Sequence, residues 1–309
     1  MIYTLTLNPS VDYIVKLDSS LIMGELNRSS NETKFPGGKG INVSRVLNKM
    51  GVKSKALGFV GGFTGSYIEE YLHNENIATD FVQVKEDSRI NIKLKTGEET
   101  EINAKGPAIT EEKFAELKAI VSSLTAEDIL VLAGSVPSSL PKSTYEEIVK
   151  ICSDNGVAFV VDAEGDLLLN VLSFKPLLIK PNHHELGDLF GTVLSTPEEV
   201  IPYAKKLIEM GAENVIVSLA GNGAVFVNQK TVIVSTVPKG EVKSSVGAGD
   251  SMVAGFLAKY TELGDLTASF QYSVAAGSAT AFSLDLCTKA HVEELLPQVQ
   301  IRRISKEYR

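Results

Sequence analysis

Short, uninterrupted apolar runs recur along the chain, and segments with helical spacing lie between them. IYTLTL (2–7), KALGFVGG (55–62), ILVLAGS (129–135), VAFVVDA (157–163), LLIK (177–180) and NVIVSL (214–219) read as strands. Val43, Val46, Leu47 and Met50 follow at i, i+3, i+4 and i+7, with Gly51 where a C-terminal cap falls. Phe114, Leu117, Val121 and Leu124 repeat that spacing behind Thr110, with Glu111 and Glu112 in the positive first turn. Tyr145, Ile148, Val149 and Cys152 make a third face, ended by Asn155-Gly156. Thr196-Pro197-Glu198-Glu199 carries a capping residue, a first-turn proline and a glutamate three residues after the cap, and Gly211 closes the helix it opens. Strands that do not alternate and are separated by helices are buried on both faces. The pattern therefore predicts an α/β fold around a mainly parallel sheet.

One region breaks this rhythm. Residues 89–106 alternate apolar and polar positions around Thr96-Gly97, which predicts a hairpin with one face in solvent. Residues 11–18 alternate in the same way. Together they predict a small antiparallel sheet standing off the main body, placed as a lid. Its free edges would be covered if two lids paired in a homodimer. The basic tail at 301–309 reads as a solvated terminus, and no internal repeat or linker is visible.

Composition narrows the function. The 309 residues carry 30 Lys and Arg against 38 Asp and Glu, a net charge of −8. This argues against a broad basic face for nucleic acid or anionic lipid, while one small phosphate pocket remains allowed. Cys152 and Cys287 alone make neither a disulfide framework nor a four-thiolate metal site. The first 15 residues lack a basic segment ahead of their apolar ones, so no secretory signal is expected. Residues 266–284 are uncharged but rich in Ser and Thr, and read as a buried helix instead of a membrane span. The expectation is a soluble protein of the reduced cytoplasm.

Several chemistries are disfavoured. The chain has no G-x-x-x-x-G-K-[ST] loop, no G-x-S-x-G elbow and no H-E-x-x-H helix. His183 and His184 are adjacent and should point apart, and no G-x-G-x-x-G follows the first strand. What remains is a set of glycine-rich turns at strand ends. Gly37-Gly38-Lys39-Gly40-Ile41-Asn42 opens a helix, where it is either a plain turn or an anion cradle. Gly247-Ala248-Gly249-Asp250 precedes another helix; its unobstructed N–H groups suit an anion, and Asp250 either orients a hydroxyl or caps the helix. An aspartate beside a helix N-terminus is expected to have a low pKa. Ser218 to Gly223 is a hairpin turn or a ligand loop, and Asn182 and Glu185 are spaced to face one way and could hold hydrated Mg²⁺. Asp162, Glu164 and Asp166 read mostly as solvated loop acids.

The two glycine signatures, Gly37–Asn42 and Gly247–Asp250, with Asn182-x-x-Glu185 and Ser218–Gly223 between them, resemble the PfkB/ribokinase-type carbohydrate kinases over nearly the whole chain. Residues 6–12 and 132–137 are similar to the hexose-phosphate branch; residues 58–65 and Arg89-Ile90-Asn91 look most like members acting on fructose 1-phosphate, with tagatose 6-phosphate the alternative. The resemblance implies a ribokinase-like three-layer α/β/α fold, one kinase domain over 1–309, and a β lid from roughly 11–35 and 89–106. It implies ATP and Mg²⁺ as cofactors, with Asp250 as base and Gly247, Ala248 and Gly249 donating N–H groups to the transferring phosphoryl. Lys180, Asn182, Ser218, Gly221, Asn222 and Gly223 would line the ATP side, with Glu185 ordering Mg²⁺ through water. Asp12 and Asn42 would hold sugar hydroxyls, and Gly37, Gly38, Lys39, Arg89 and Asn103 would surround the sugar and its phosphate. Two rivals are a non-catalytic sugar-phosphate sensor, which would not need Asp250, and an oxidoreductase, which the missing dinucleotide fingerprint disfavours.

Overall fold

The computed structural model describes residues 1–96 and 99–304. Its strands are β1 (Ile2–Thr6), β2 (Ser10–Lys16), β3 (Asn31–Gly37), β4 (Ser54–Gly61), β5 (Ala78–Val84), β6 (Arg89–Lys95), β7 (Glu99–Asn103), β8 (Ile129–Ala133), β9 (Ala158–Asp162), β10 (Leu178–Ile179), β11 (Asn214–Ser218), β12 (Ala224–Asn228), β13 (Val232–Ser235) and β14 (Ile301–Arg303). Its α-helices are α1 (Lys39–Lys49), α2 (Gly62–Asn74), α3 (Glu111–Ser122), α4 (Thr144–Asp154), α5 (Asp166–Leu169), α6 (His183–Phe190), α7 (Pro197–Glu209), α8 (Ala248–Leu263), α9 (Leu266–Ala281) and α10 (Lys289–Leu295).

The large sheet has the order β14-β13-β12-β11-β10-β9-β8-β1-β4-β5. From β11 to β5 every pairing is parallel, and β12, β13 and β14 add an antiparallel edge. Its inner strands, β8 to β11, are mostly apolar because both faces are covered. Leu130 and Leu132 join the core under α3, α4 and α7, while Val131 and Ala133 join the core under α1, α8 and α9. Thr110 caps α3, and Thr196 and Glu199 form a capping box on α7. Of the tail expected to be solvated, Ile301–Arg303 pair with the edge strand β13 as β14 while Arg302 and Arg303 stay exposed, and residues 305–309 lie outside the described residues.

The small sheet has the order β3-β2-β6-β7. Its outer pairings are antiparallel as expected, but the central β2–β6 pair runs parallel. Alternation sets which side chains share a face, not which way a neighbouring strand runs. Gly97, half of the expected turn, lies outside the described residues. Among those residues, no helix is long and apolar enough to cross a membrane.

The topology places the site. After β1 the chain builds outward through β4 and β5, then returns to β1's other side with β8 and continues away. Open α/β sheets bind ligands at the carboxyl ends of the strands flanking such a reversal. Thr6, Gly134, Asp162, Lys180 and Ser218 all sit at those ends.

Candidate active site

A cleft of about 1310 Å³ runs along these strand ends, under the small sheet. Sixteen of the eighteen expected site residues line it: Asp12, Gly38, Lys39, Asn42, Arg89, Asn103, Lys180, Asn182, Glu185, Ser218, Gly221, Gly223, Gly247, Ala248, Gly249 and Asp250. Gly37 lies behind the wall at the end of β3, where a side chain would run into Asp12. Asn222 turns away, and its amide donates to Ser195 O (3.2 Å).

Asp250 is in the first turn of α8 and 6 % exposed. It is not the cap: the N-cap is Gly247, and Asp250 Oδ2 instead accepts from Asn42 Nδ2 on α1 (2.8 Å). Gly247 has φ +76°, and a Cβ there would meet Leu286 Cδ2 at 2.6 Å, so this turn needs glycine twice over. The low pKa expected for Asp250 is overturned. Burial first, and the Asp162 carboxylate next, push it up to about 6, although Asn42, Lys39 and Lys180 oppose them.

Asp162 is the main residue that sequence reasoning misjudged. It is no solvated acid: it is 2 % exposed at the end of β9, with Oδ1 3.6 Å from Lys39 Nζ and 3.5 Å from Lys180 Nζ. Its Oδ2 is buried without a protein partner. The signal was present, since residues 157–163 form an apolar run and Asp162 stands at its ligand-binding end. Lys39 is held on this wall, with Glu164 Oε1 3.7 Å away. Burial disfavours its charge, but Asp162, Asp250, Glu185 and Glu164 outweigh that and hold the ammonium well above the usual lysine range.

Asn182 and Glu185 do face one way, because they form a capping box on α6. Asn182 Oδ1 accepts from Glu185 N (2.9 Å), and Glu185 Oε2 accepts from Asn182 N (2.7 Å). Burial pushes the Glu185 carboxyl up, against the Asn182 N–H and Lys180. His183 and His184 do not point apart; their rings meet at 3.9 Å and both line the cleft.

The lid contributes a polar ladder. Asp12 Oδ1 accepts from Ser10 Oγ (2.7 Å) and Asn91 Nδ2 (3.1 Å), and Asp12 Oδ2 is 3.3 Å from Lys93 Nζ. Arg89 donates through Nε to Asn8 O (3.1 Å) and through Nη1 to Ala104 O (3.2 Å). Burial lowers its pKa, which Asp12 opposes. Ser10, Asn91 and Lys93 were not among the expected site residues, although they lie on the same alternating positions as Asp12 and Arg89.

Two lysines and two buried aspartates at the mouth of a glycine turn suit an anion that changes charge while it is transferred. Residues 5–291 match the pfkB family carbohydrate kinases. The chain belongs to that family. Its three-layer body with a sheet lid is the ribokinase-like fold. The chain is 55 % identical to the 1-phosphofructokinase of Bacillus subtilis (strain 168), covering 98 % of this chain and 100 % of that one. It is 38 % identical to the D-tagatose-1-phosphate kinase of Bacillus licheniformis, with 98 % and 100 % covered. The crystal structure of phosphofructokinase-2 from Escherichia coli in complex with fructose-6-phosphate matches with TM-score 0.90 and 31 % identity, over 96 % of this chain and 98 % of that one. As a pfkB kinase, the protein is an ATP-dependent sugar kinase.

Proposed function

We propose that this cytoplasmic kinase transfers the γ-phosphoryl of ATP to the 6-hydroxyl of fructose 1-phosphate, giving fructose 1,6-bisphosphate and ADP. One observation carries the reading: a buried carboxylate, Asp250, stands free of capping duty beside the Gly247–Gly249 turn. A sensor would not need it there.

The sugar hydroxyl gives its proton to Asp250 as its oxygen bonds the γ-phosphorus, and the bond to the β–γ bridging oxygen breaks as ADP leaves. N–H groups of the 247–249 turn hold the transferring phosphoryl, while Lys39 and Lys180 counter the developing charge. In this reading Lys39, expected from the resemblance beside the sugar and its phosphate, acts instead on the transferring phosphoryl, a placement supported by its pairing with Asp162 and Glu164. Ser218, Gly221 and Gly223 line the ATP side, and Asp12 and Asn42 hold sugar hydroxyls.

Three or more His, Cys, Asp or Glu residues do not gather into a metal cage among the described residues. The donors fit Mg²⁺ nonetheless, because this ion keeps most of its waters and needs only one or two carboxylates beside substrate phosphates. Glu185 would hold it through water, near the unpartnered Asp162 Oδ2. Bound there, it would neutralise ATP phosphate charge.

A coupled assay of ADP release tests the reading across fructose 1-phosphate, fructose 6-phosphate, tagatose 6-phosphate and fructose. Fructose 1-phosphate should lead in kcat/KM by about tenfold or more, a margin of ~1.4 kcal/mol. Preference for tagatose 6-phosphate would make that the substrate. Binding without turnover of any of them would leave a sensor.

A further inference from the structure

Lys93 is buried in a sheet that is largely exposed. It is 7 % exposed, while all of β7 beside it faces solvent. Arg89, Asn91 and Lys93 occupy alternate positions of β6, and all three line the cleft. Four residues of strand separate the outer two by about 13 Å, so long side chains from both ends can meet over Asn91.

The partners Lys93 has in this structure do not account for it. Asp12 Oδ2 is 3.3 Å away and Glu101 Oε1 3.8 Å. Asp12 is already oriented by Ser10 and Asn91, and the Glu101 side chain is 41 % exposed. Burying an ammonium costs stability that a loose pair barely offsets. A second anion would repay it. Arg89 has further N–H donors beyond the two given to carbonyls, and a near-dianionic phosphate leaving water needs more than one cation. Lys39 is paired with Asp162 and Glu164 beside the end of β9 in the large sheet.

We propose that Lys93 is a specificity-determining residue for the phosphate the sugar already carries. With Arg89 it takes that phosphate, giving up Asp12 in part as Asp12 turns to the sugar hydroxyls. This rests on the sugar-phosphate kinase reading above.

The test is the ratio of kcat/KM for fructose 1-phosphate to that for fructose, on wild type, Lys93→Met and Lys93→Arg. Lys93→Met should lower the ratio by about 30-fold or more, as for one partner of a desolvated charge pair. Lys93→Arg should restore most of it. If both substrates lose equally, so that the ratio holds, Lys93 merely supports Asp12 and the proposal is overturned. Should Lys93→Met fail to fold, the Asp12→Asn variant with and without Lys93→Met removes the unpaired carboxylate. Calorimetric affinity for fructose 1-phosphate should then weaken by the same ~30-fold between the two, and equal affinities overturn the proposal. A wild-type ratio near one would instead remove the sugar-phosphate reading itself.

Discussion

Asp250 shows how far one residue's environment departs from its local sequence. Its place in the first turn of α8 favours ionisation, yet burial and Asp162 lift its pKa to about 6. A base with that pKa is charged at neutral pH and still able to take a proton. The sign of the pH effect follows. As pH falls through about 6 the carboxylate protonates, so kcat/KM should fall on the acid side with an apparent pKa near that value. Stability should move the other way. The folded protein binds this proton more tightly than the unfolded chain, so ionised Asp250 destabilises the fold above about 6. Lifting a carboxyl from 3.8 to about 6 corresponds to roughly 3 kcal/mol. Asp250→Asn should therefore lower kcat by about 10²–10⁴ while raising the melting temperature at pH 7 by a few degrees. Kinetics and calorimetry on the one variant check both; near-normal kcat would remove Asp250 from the chemistry.

At the scale of elements, the helices read directly from sequence because their caps are local. Thr196, Pro197 and Glu199 lie within one turn, and the capping box needs nothing else. The lid is different. β7 is exposed along its length and rests on β6 alone, so it has little burial to hold it. In the free protein, amides of 99–103 should exchange quickly with solvent, and fructose 1-phosphate should slow them as Arg89 and Lys93 on β6 engage the sugar. Exchange measured by mass spectrometry with and without the sugar phosphate decides this. Equal rates would mean that the sheet does not close on substrate.

For the whole molecule, the lid's outward face carries Tyr13, Ile90, Ile92 and Ile102, each exposed by 37 % or more. Contiguous apolar surface of this kind marks an interaction site. We propose that a second copy covers it, lid against lid, which also shields the sheet edges. Ile92→Asp should shift a dimer toward monomer in light scattering, because a carboxylate would be buried without a partner. A wild type that is monomeric at micromolar concentration would end the idea.

The sequence by itself determined what depends on near neighbours. Unbroken apolar runs specified strands covered on both faces, helical spacing specified the faces that cover them, and three glycine-rich turns with Asn182 and Glu185 marked the candidate site. Sixteen of eighteen expected residues reached one cleft because strand ends in such a sheet share one side. The tertiary structure decided what depends on distant charges and on packing. Asp162 reads as a loop acid until β9 is set beside β10 and brings Lys180 to it. Lys93 reads as a polar lid position until Asp12 of β2 and Glu101 of β7 flank it. The pKa of Asp250 is set by burial and by a carboxylate 88 positions away in the chain, and no local pattern encodes either.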